Sequence, residues 1–352
     1  MKIAVLVPNF VEMDGAARVA EVQAKELIEQ GHQVDVFAFA ADIPPSNYKV
    51  HVMGMPKSLF WQRVYRLIFP LDVLKTFRWL PKLRNYDKII VHLYPMTWIG
   101  CLAKTLYKVK YVFWYHGIVP PHLFPNFYER IYMKLQILLT KLTVKNVDEA
   151  VAVSKYGQKE LKEYTGLNSE VVYNKVDLAR FHSGMDGKKI REKHGLGNGP
   201  VILFVGTLRP VKGVHLLIQA FKMIKKKIPQ TKLVIVGRSD YPYYFKQLKQ
   251  ISDESVIFAG FVPREELPYY YAACDIYASC SMWEIHNVSA IEAQACGKPV
   301  IVWHESFKET VDENGVIVEM GDIKRFAQAC IEKLMEFKPF QKAEERSKVS
   351  KV

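Results

Sequence analysis

Cysteine is scarce in this chain: five in 352 residues, Cys101, Cys274, Cys280, Cys296 and Cys330, odd in number and nowhere spaced Cys-x-x-Cys. That excludes a secreted disulfide framework, argues against a zinc knuckle and points to a reducing, cytoplasmic setting. Long apolar runs are also missing. The longest uncharged stretches, 89–103 and 111–128, are broken by His92, Pro95, His116, Pro120, Pro121 and Pro125, whereas a bilayer-spanning helix needs about 20 predominantly apolar residues. The apolar run before Pro8 is too short for a signal peptide and reads as a first strand. Gly (19) and Pro (18) are ordinary in number, and 49% hydrophobic with 24% charged residues is a globular composition, neither collagen-like nor disordered. At about 100–200 residues per domain, the length predicts two domains.

Acidic residues are rare in one region. Between residues 51 and 147, fifteen Lys and Arg meet only Asp72, Asp87 and Glu129, a balance of +12 that leaves +1 of the chain's +13 for everything else. Phe60, Trp61, Tyr65, Leu67, Ile68, Phe69, Phe77, Trp79 and Leu80 interleave with these bases. This mixture is expected of a segment lying against an anionic membrane surface; the plainer reading is a solvated basic face over core aromatics. No helix-turn-helix, RNP or zinc-finger spacing is present, so nucleic acid is not an expected partner.

The run at 3–7, small residues at helical spacing after Gly15, and a second run at 34–37 read as strand, helix, strand. Further buried-strand runs at 89–93, 110–114 and 150–153 argue for a parallel sheet covered on both faces. A glycine-rich stretch at 184–199 precedes a second series of apolar runs at 200–206, 232–237, 256–261, 275–279, 299–303 and 315–319. The expectation is an α/β chain of two Rossmann-like, doubly wound domains facing across a cleft: 1–175, a linker at 176–199, and 200–352. Ligands of such sheets bind beyond the carboxyl ends of the strands.

The loops at those strand ends hold the chemistry. Val205-Gly206-Thr207-Leu208-Arg209-Pro210-Val211-Lys212-Gly213 sets bases between a strand end and a helix start, where free backbone N–H groups favour phosphate. Glu284-Ile285-His286-Asn287-Val288 leads to Glu292 eight residues after Glu284, and Phe258-Ala259-Gly260-Phe261-Val262-Pro263 lies between. With Asp14-Gly15-Ala16-Ala17-Arg18, Tyr115-His116-Gly117, Val153-Ser154 and Tyr173-Asn174-Lys175-Val176-Asp177, this order resembles the retaining GT-B nucleotide-sugar glycosyltransferases of glycosyltransferase family 4, over essentially the whole chain.

The resemblance implies a role for each position. Lys212, Arg209 and the N–H groups near Gly15 would stabilise charge developing on the leaving diphosphate. Glu292 would accept from the donor ribose hydroxyls, and Glu284 would hold the donor sugar and favour an oxocarbenium-like transition state. His116 would face the donor hexose from the other domain. Gly206, Gly260 and Val262 would shape the donor slot, with Phe261 packing inward. Where the family carries Gly-aromatic-Gly after the first glutamate, this chain has Ile285, His286 and Asn287, ahead of Val288; either side-chain hydrogen bonds replace backbone contacts or the pocket is reshaped. Asp14 replaces a usual glycine, and with Arg18 and His92 is placed on the acceptor side. No Asp-x-Asp occurs, so no metal and no cofactor is expected, and retention would proceed by front-side attack.

The sequence thus implies a hexosyltransferase, acting from a UDP- or GDP-linked sugar on a glycan or lipid-linked acceptor, in the cytoplasm and peripherally on the membrane through residues 51–147. The alternatives are a non-catalytic glycan- or nucleotide-binding relative and a sugar-nucleotide epimerase of the same fold. The chain turns polar after Lys338 and stops at Val352, where relatives continue through a last helix. A shortened C-terminus is expected, with activity rising on extension by about 20 residues, one short helix.

Overall fold

The computed structural model describes residues 1–336 apart from Met13 and Asp240. The polar tail on which the expectation of a shortened C-terminus rests lies outside the described residues. The chain divides into two compact units, Met1–Asn174 and Lys175–Val352.

Unit 1 has strands β1 (Lys2–Leu6), β2 (Asn9–Phe10), β3 (Gln33–Ala38), β4 (Ala40–Ala41), β5 (Lys49–Val52), β6 (Lys88–His92), β7 (Lys110–Tyr115), β8 (Glu149–Ala152) and β9 (Glu170–Val171), with helices α1 (Gly15–Glu29), α2 (Leu59–Ile68), α3 (Val73–Trp79), α4 (Met96–Tyr107), α5 (Phe127–Thr143) and α6 (Lys155–Thr165). Its main sheet is parallel throughout in the order β5-β3-β1-β6-β7-β8-β9, while β2 and β4 pair separately. Val5, Val34 and Val36 pack with Ala17, Ala20 and Ala24 of α1, whose small side chains let it lie close; Ala4, Leu6 and Phe37 serve the opposite face with Ile89, Val91 and Phe113. Burial on both faces is why these strands read as continuous apolar runs rather than alternating ones.

Unit 2 has α7 (Lys188–Lys193), β10 (Val201–Val205), α8 (Val214–Lys227), β11 (Lys232–Val236), α9 (Pro242–Ile251), β12 (Val256–Gly260), α10 (Leu267–Ala273), β13 (Ile276–Ser279), α11 (Val288–Ala295), β14 (Val300–Val302), β15 (Val316–Ile317) and α12 (Ile323–Met335). The sheet order is β12-β11-β10-β13-β14-β15, again parallel. Residues 176–199, expected as a linker, instead belong to this unit. Phe181, Ile190 and Leu196 are buried in its core, and Arg191 Nη2 lies 2.9 Å from Asp275 Oδ2. One glycine of this stretch serves contact: a Cβ on Gly187 would stand 2.3 Å from the Ala273 backbone nitrogen.

Each sheet reverses its winding at one place. In unit 1, β1 has β3 on one side and β6 on the other; in unit 2, β10 has β11 on one side and β13 on the other. The loops leaving these strands splay apart there, which opens a crevice beyond the carboxyl ends of β1 and β6, and of β10 and β13.

Candidate active site

In unit 2 the loops after β10 and β13 are tied together by backbone. Met282 N donates to Val211 O at 2.8 Å, and Gly213, at φ +62°, sits so close that a Cβ would lie 1.9 Å from the Cys280 carbonyl oxygen. Only glycine fits that position. The approach brings Lys212 Nζ within 2.7 Å of Glu284 Oε1. Asn287 Nδ2 donates to the same oxygen at 3.0 Å, while Asn287 Oδ1 accepts from Ala290 N at 2.8 Å and caps α11. Glu284 is buried, and its Oε2 has no partner among the described residues. Of the three replaced positions, Asn287 has become a side-chain clamp on Glu284, and Ile285 turns into the protein interior. Burial pushes the His286 imidazole down to about 4 against the opposing pull of Glu309.

Glu292 is no surface glutamate: it is 2% exposed and accepts from the Tyr271 hydroxyl at 2.7 Å. Burial and that carboxylate hold the Tyr271 hydroxyl well above its usual range. Val288 opens α11, and Arg209 stays exposed ahead of the turn Pro210–Lys212. Gly206 and Gly260 meet at a backbone floor whose third member, Gly237, the sequence reading did not single out. Gly206 N donates to Val236 O at 3.0 Å and Gly237 N to Gly260 O at 2.8 Å, and a Cβ on Gly237 would stand 1.9 Å from Gly206 O. The expectation for the next two residues is reversed: Val262 is buried in the core and Phe261 is 42% exposed.

In unit 1, Asp14 is the N-cap of α1, accepting from Ala16 N at 2.9 Å. Its Oδ1 thus caps the helix and occupies one of the N–H groups near Gly15 expected to meet phosphate. Gly15 itself is exposed with open space around it. Arg18 Nε donates to Glu12 O at 3.0 Å, bracing the same loop. His92, placed on the acceptor side by the sequence reading, is 0% exposed, so it touches no acceptor. Its Nδ1 lies 2.7 Å from His116 Nε2, and the two rings stack at 5.0 Å. Glu160, unremarked in the sequence, brackets the His116 loop by accepting from the Tyr115 hydroxyl and from Ile118 N. Ser154 is spent as the N-cap of α6.

The basic region of unit 1 carries an apolar surface. Phe60, Trp61, Leu71, Val73, Leu74 (86% exposed) and Phe77 project from α2, α3 and the turn between them. Along α5, Phe127, Ile131, Leu135, Leu138 and Leu142 form an exposed stripe beside Arg130, Lys134 and Lys141. Arg63 of α2 pairs with Glu129 of α5 at 2.8 Å, joining the two parts. No helix among the described residues is long and apolar enough to cross a membrane.

Comparison with known proteins adds the following. Residues 13–180 match the model described as "Glycosyltransferase Family 4", and residues 186–350 the model described as "Glycosyl transferases group 1". The chain is 33% identical over 169 residues to a GDP-mannose-dependent alpha-(1-6)-phosphatidylinositol monomannoside mannosyltransferase of Mycolicibacterium smegmatis, covering 44% of each chain. It is 27% identical over 223 residues to spore coat protein SA of Bacillus subtilis, covering 56% of this chain and 58% of that one. Both alignments thus span about half of the relative, while an uncharacterized glycosyltransferase of Methanocaldococcus jannaschii aligns at 25% identity over 86% of this chain and 80% of its own. Among solved structures, Anabaena HepE in complex with UDP-glucose superposes with a TM-score of 0.79 at 24% identity, covering 96% of this chain and 90% of that one. The fold is the GT-B class expected from the sequence.

Proposed function

Because the chain belongs to the group 1 glycosyl transferases of glycosyltransferase family 4, we propose that it transfers a hexose from a nucleotide diphosphate sugar, with retention at the reacting carbon, to a glycan or lipid-linked acceptor. The observation that carries this reading is the Lys212–Glu284–Asn287 cluster at the winding reversal of unit 2. An ammonium has three donors. One is engaged by Glu284, which leaves two for oxygens of a departing diphosphate, where negative charge develops as the glycosidic bond breaks. Arg209 adds a second positive charge from the same loop. Two donors hold one oxygen of Glu284, and the other faces the positive charge that grows on the sugar. The HepE complex with UDP-glucose and the GDP-mannose-dependent relative support a nucleotide sugar as donor.

The acceptor side is read from unit 1. Exposed Leu71, Leu74, Phe77 and the α5 stripe, among bases that outnumber acids by +12, support docking on an anionic membrane face. Each such base near the surface contributes about 1 kcal/mol.

The first test is thermal stability against UDP, GDP, ADP and their sugars, since a ligand at 100 times its Kd stabilises by about 2.7 kcal/mol. A response to one nucleotide series defines the donor, and nucleotide release with an α-linked product from an α-linked donor then establishes retaining transfer. Binding with neither hydrolysis nor transfer to any acceptor would instead identify a non-catalytic relative. Co-sedimentation with phosphatidylglycerol vesicles, but not with phosphatidylcholine vesicles, tests the membrane face. Equal recovery with both would remove it.

A further inference from the structure

Three side chains in unit 1 form a line ending at His116. Gln23 lies on the buried face of α1, His92 closes β6, and His116 follows β7. Gln23 Oε1 stands 3.1 Å from His92 Nε2, and His92 Nδ1 stands 2.7 Å from His116 Nε2. His92 is fully buried and stacks on Trp114 as well as on His116.

Hydrogen positions along this line follow from the heavy atoms. An amide oxygen only accepts, so the proton in the first contact belongs to His92 Nε2. A neutral imidazole carries one N–H. His92 Nδ1 is therefore bare and accepts, and the proton in the second contact belongs to His116 Nε2. His116 then has a bare Nδ1, for which the described residues supply no partner. Burial, and for His92 the neighbouring His116, push both imidazoles below the usual histidine range, so the single-proton count holds at neutral pH.

We propose that Gln23, acting through His92, fixes His116 as its Nε2–H tautomer and so presents Nδ1 as a hydrogen-bond acceptor to a hydroxyl of the substrate sugar. Gln23 and His92 are positioning residues; His116 is the group that meets the ligand. The identity of that ligand rests on the transfer reading above, whereas the tautomer rests on the geometry of unit 1 alone. An imidazole without this support exchanges between tautomers, and the other one would offer a donor where an acceptor is needed.

The test is nitrogen NMR of the full chain labelled with ¹⁵N-histidine, with the His116 signals identified by their loss in His116→Gln. In the parent protein His116 Nδ1 is expected at the shift of an unprotonated ring nitrogen and Nε2 at that of a protonated one. The reverse pattern would mean that the Gln23 amide donates, and would overturn the proposal. Gln23→Met keeps the shape and removes the strong acceptor. It should give a mixed His116 tautomer and lower kcat by about 10–100-fold, the usual cost of losing an orienting partner, with KM little changed. Gln23→Leu is the second variant should Gln23→Met fail to fold. An unchanged His116 tautomer in either variant would also overturn the proposal. If the tautomer shifts as expected but no nucleotide sugar supports transfer, the transfer reading falls and the relay stands.

Discussion

Asn287 performs two tasks with one side chain, and two substitutions separate them. Its Oδ1 caps α11 through Ala290 N, and its Nδ2 donates to the buried Glu284. Asn287→Ala removes both. Loss of an N-cap costs about 1 kcal/mol, and loss of a hydrogen bond to a buried charge about 1.5–3 kcal/mol, so unit 2 should lose about 3 kcal/mol at every pH. Asn287→Asp keeps the cap, because aspartate caps as well as asparagine, but sets a second carboxylate where a donor stood 3.0 Å from Glu284. Two carboxylates at that distance cannot both ionise freely, so one pKa rises in the folded state. A carboxyl raised above its unfolded value favours folding in acid and loses that advantage as pH climbs through the folded pKa. For a rise of about two units the loss is about 2.7 kcal/mol, moderated by Lys212. Urea unfolding followed through the buried Trp283 and Trp303, at about pH 5 and about pH 8, reads the difference. Asn287→Asp should match or exceed Asn287→Ala in acid and fall below it in base. Two variants equally destabilised and equally flat with pH would refute the clamp.

Three further outcomes follow from the same loops. Lys212→Met should cut kcat by about 10²–10³-fold, the cost of losing one donor to developing charge, measured with the donor the thermal panel identifies; an unchanged rate would remove Lys212 from the diphosphate. His286 is held at about 4 by burial against an ordinary 6.5. The unfolded chain therefore binds the extra proton between those values, and stability falls as pH drops through that window. His286→Gln should flatten the acid limb by up to about 3 kcal/mol, and a limb identical to the parent's would contradict the burial. Gly213→Ala should destabilise by at least about 1–3 kcal/mol from the left-handed backbone alone, with the contact to the Cys280 carbonyl added, and a melting temperature equal to the parent's would show that the loop can open without loss.

Most strands were legible because both faces of each sheet are covered, so residues such as 3–6 and 201–205 are apolar without interruption. The edge strands Lys49–Val52 and Glu170–Val171 carry no such run and were missed for that reason. Residues 176–199 read as a linker because a glycine-rich stretch separates two series of apolar runs, whereas Gly187 lets α10 approach closely. Of the site residues visible as motifs, Lys212, Glu284 and His116 stand in the loops that follow β10, β13 and β7, and Glu292 lies within α11. Gln23, Glu160 and Gly237 were invisible, since what selects them is a distance across the fold that leaves no mark on spacing along the chain.

The departures from the family's glycines now have a common physical account. Asp14 and Asn287 each stand at the winding reversal of their sheet, and each turns its side-chain oxygen onto a backbone N–H of the helix that follows, Ala16 and Ala290. A glycine at such a position leaves those N–H groups open to an anion. A side-chain cap fills one of them and strengthens the helix by only a few tenths of a kcal/mol relative to glycine. In unit 2, an anion meeting the Asn287 loop would therefore depend less on backbone dipoles and more on the charged side chains Lys212 and Arg209, which predicts a steeper fall of donor affinity with salt than glycine at position 287 would give. Asn287→Gly, compared with the parent for UDP- or GDP-sugar affinity across a salt series, measures it. Parallel slopes in the two proteins would show that the Asn287 cap stabilises its helix and nothing more.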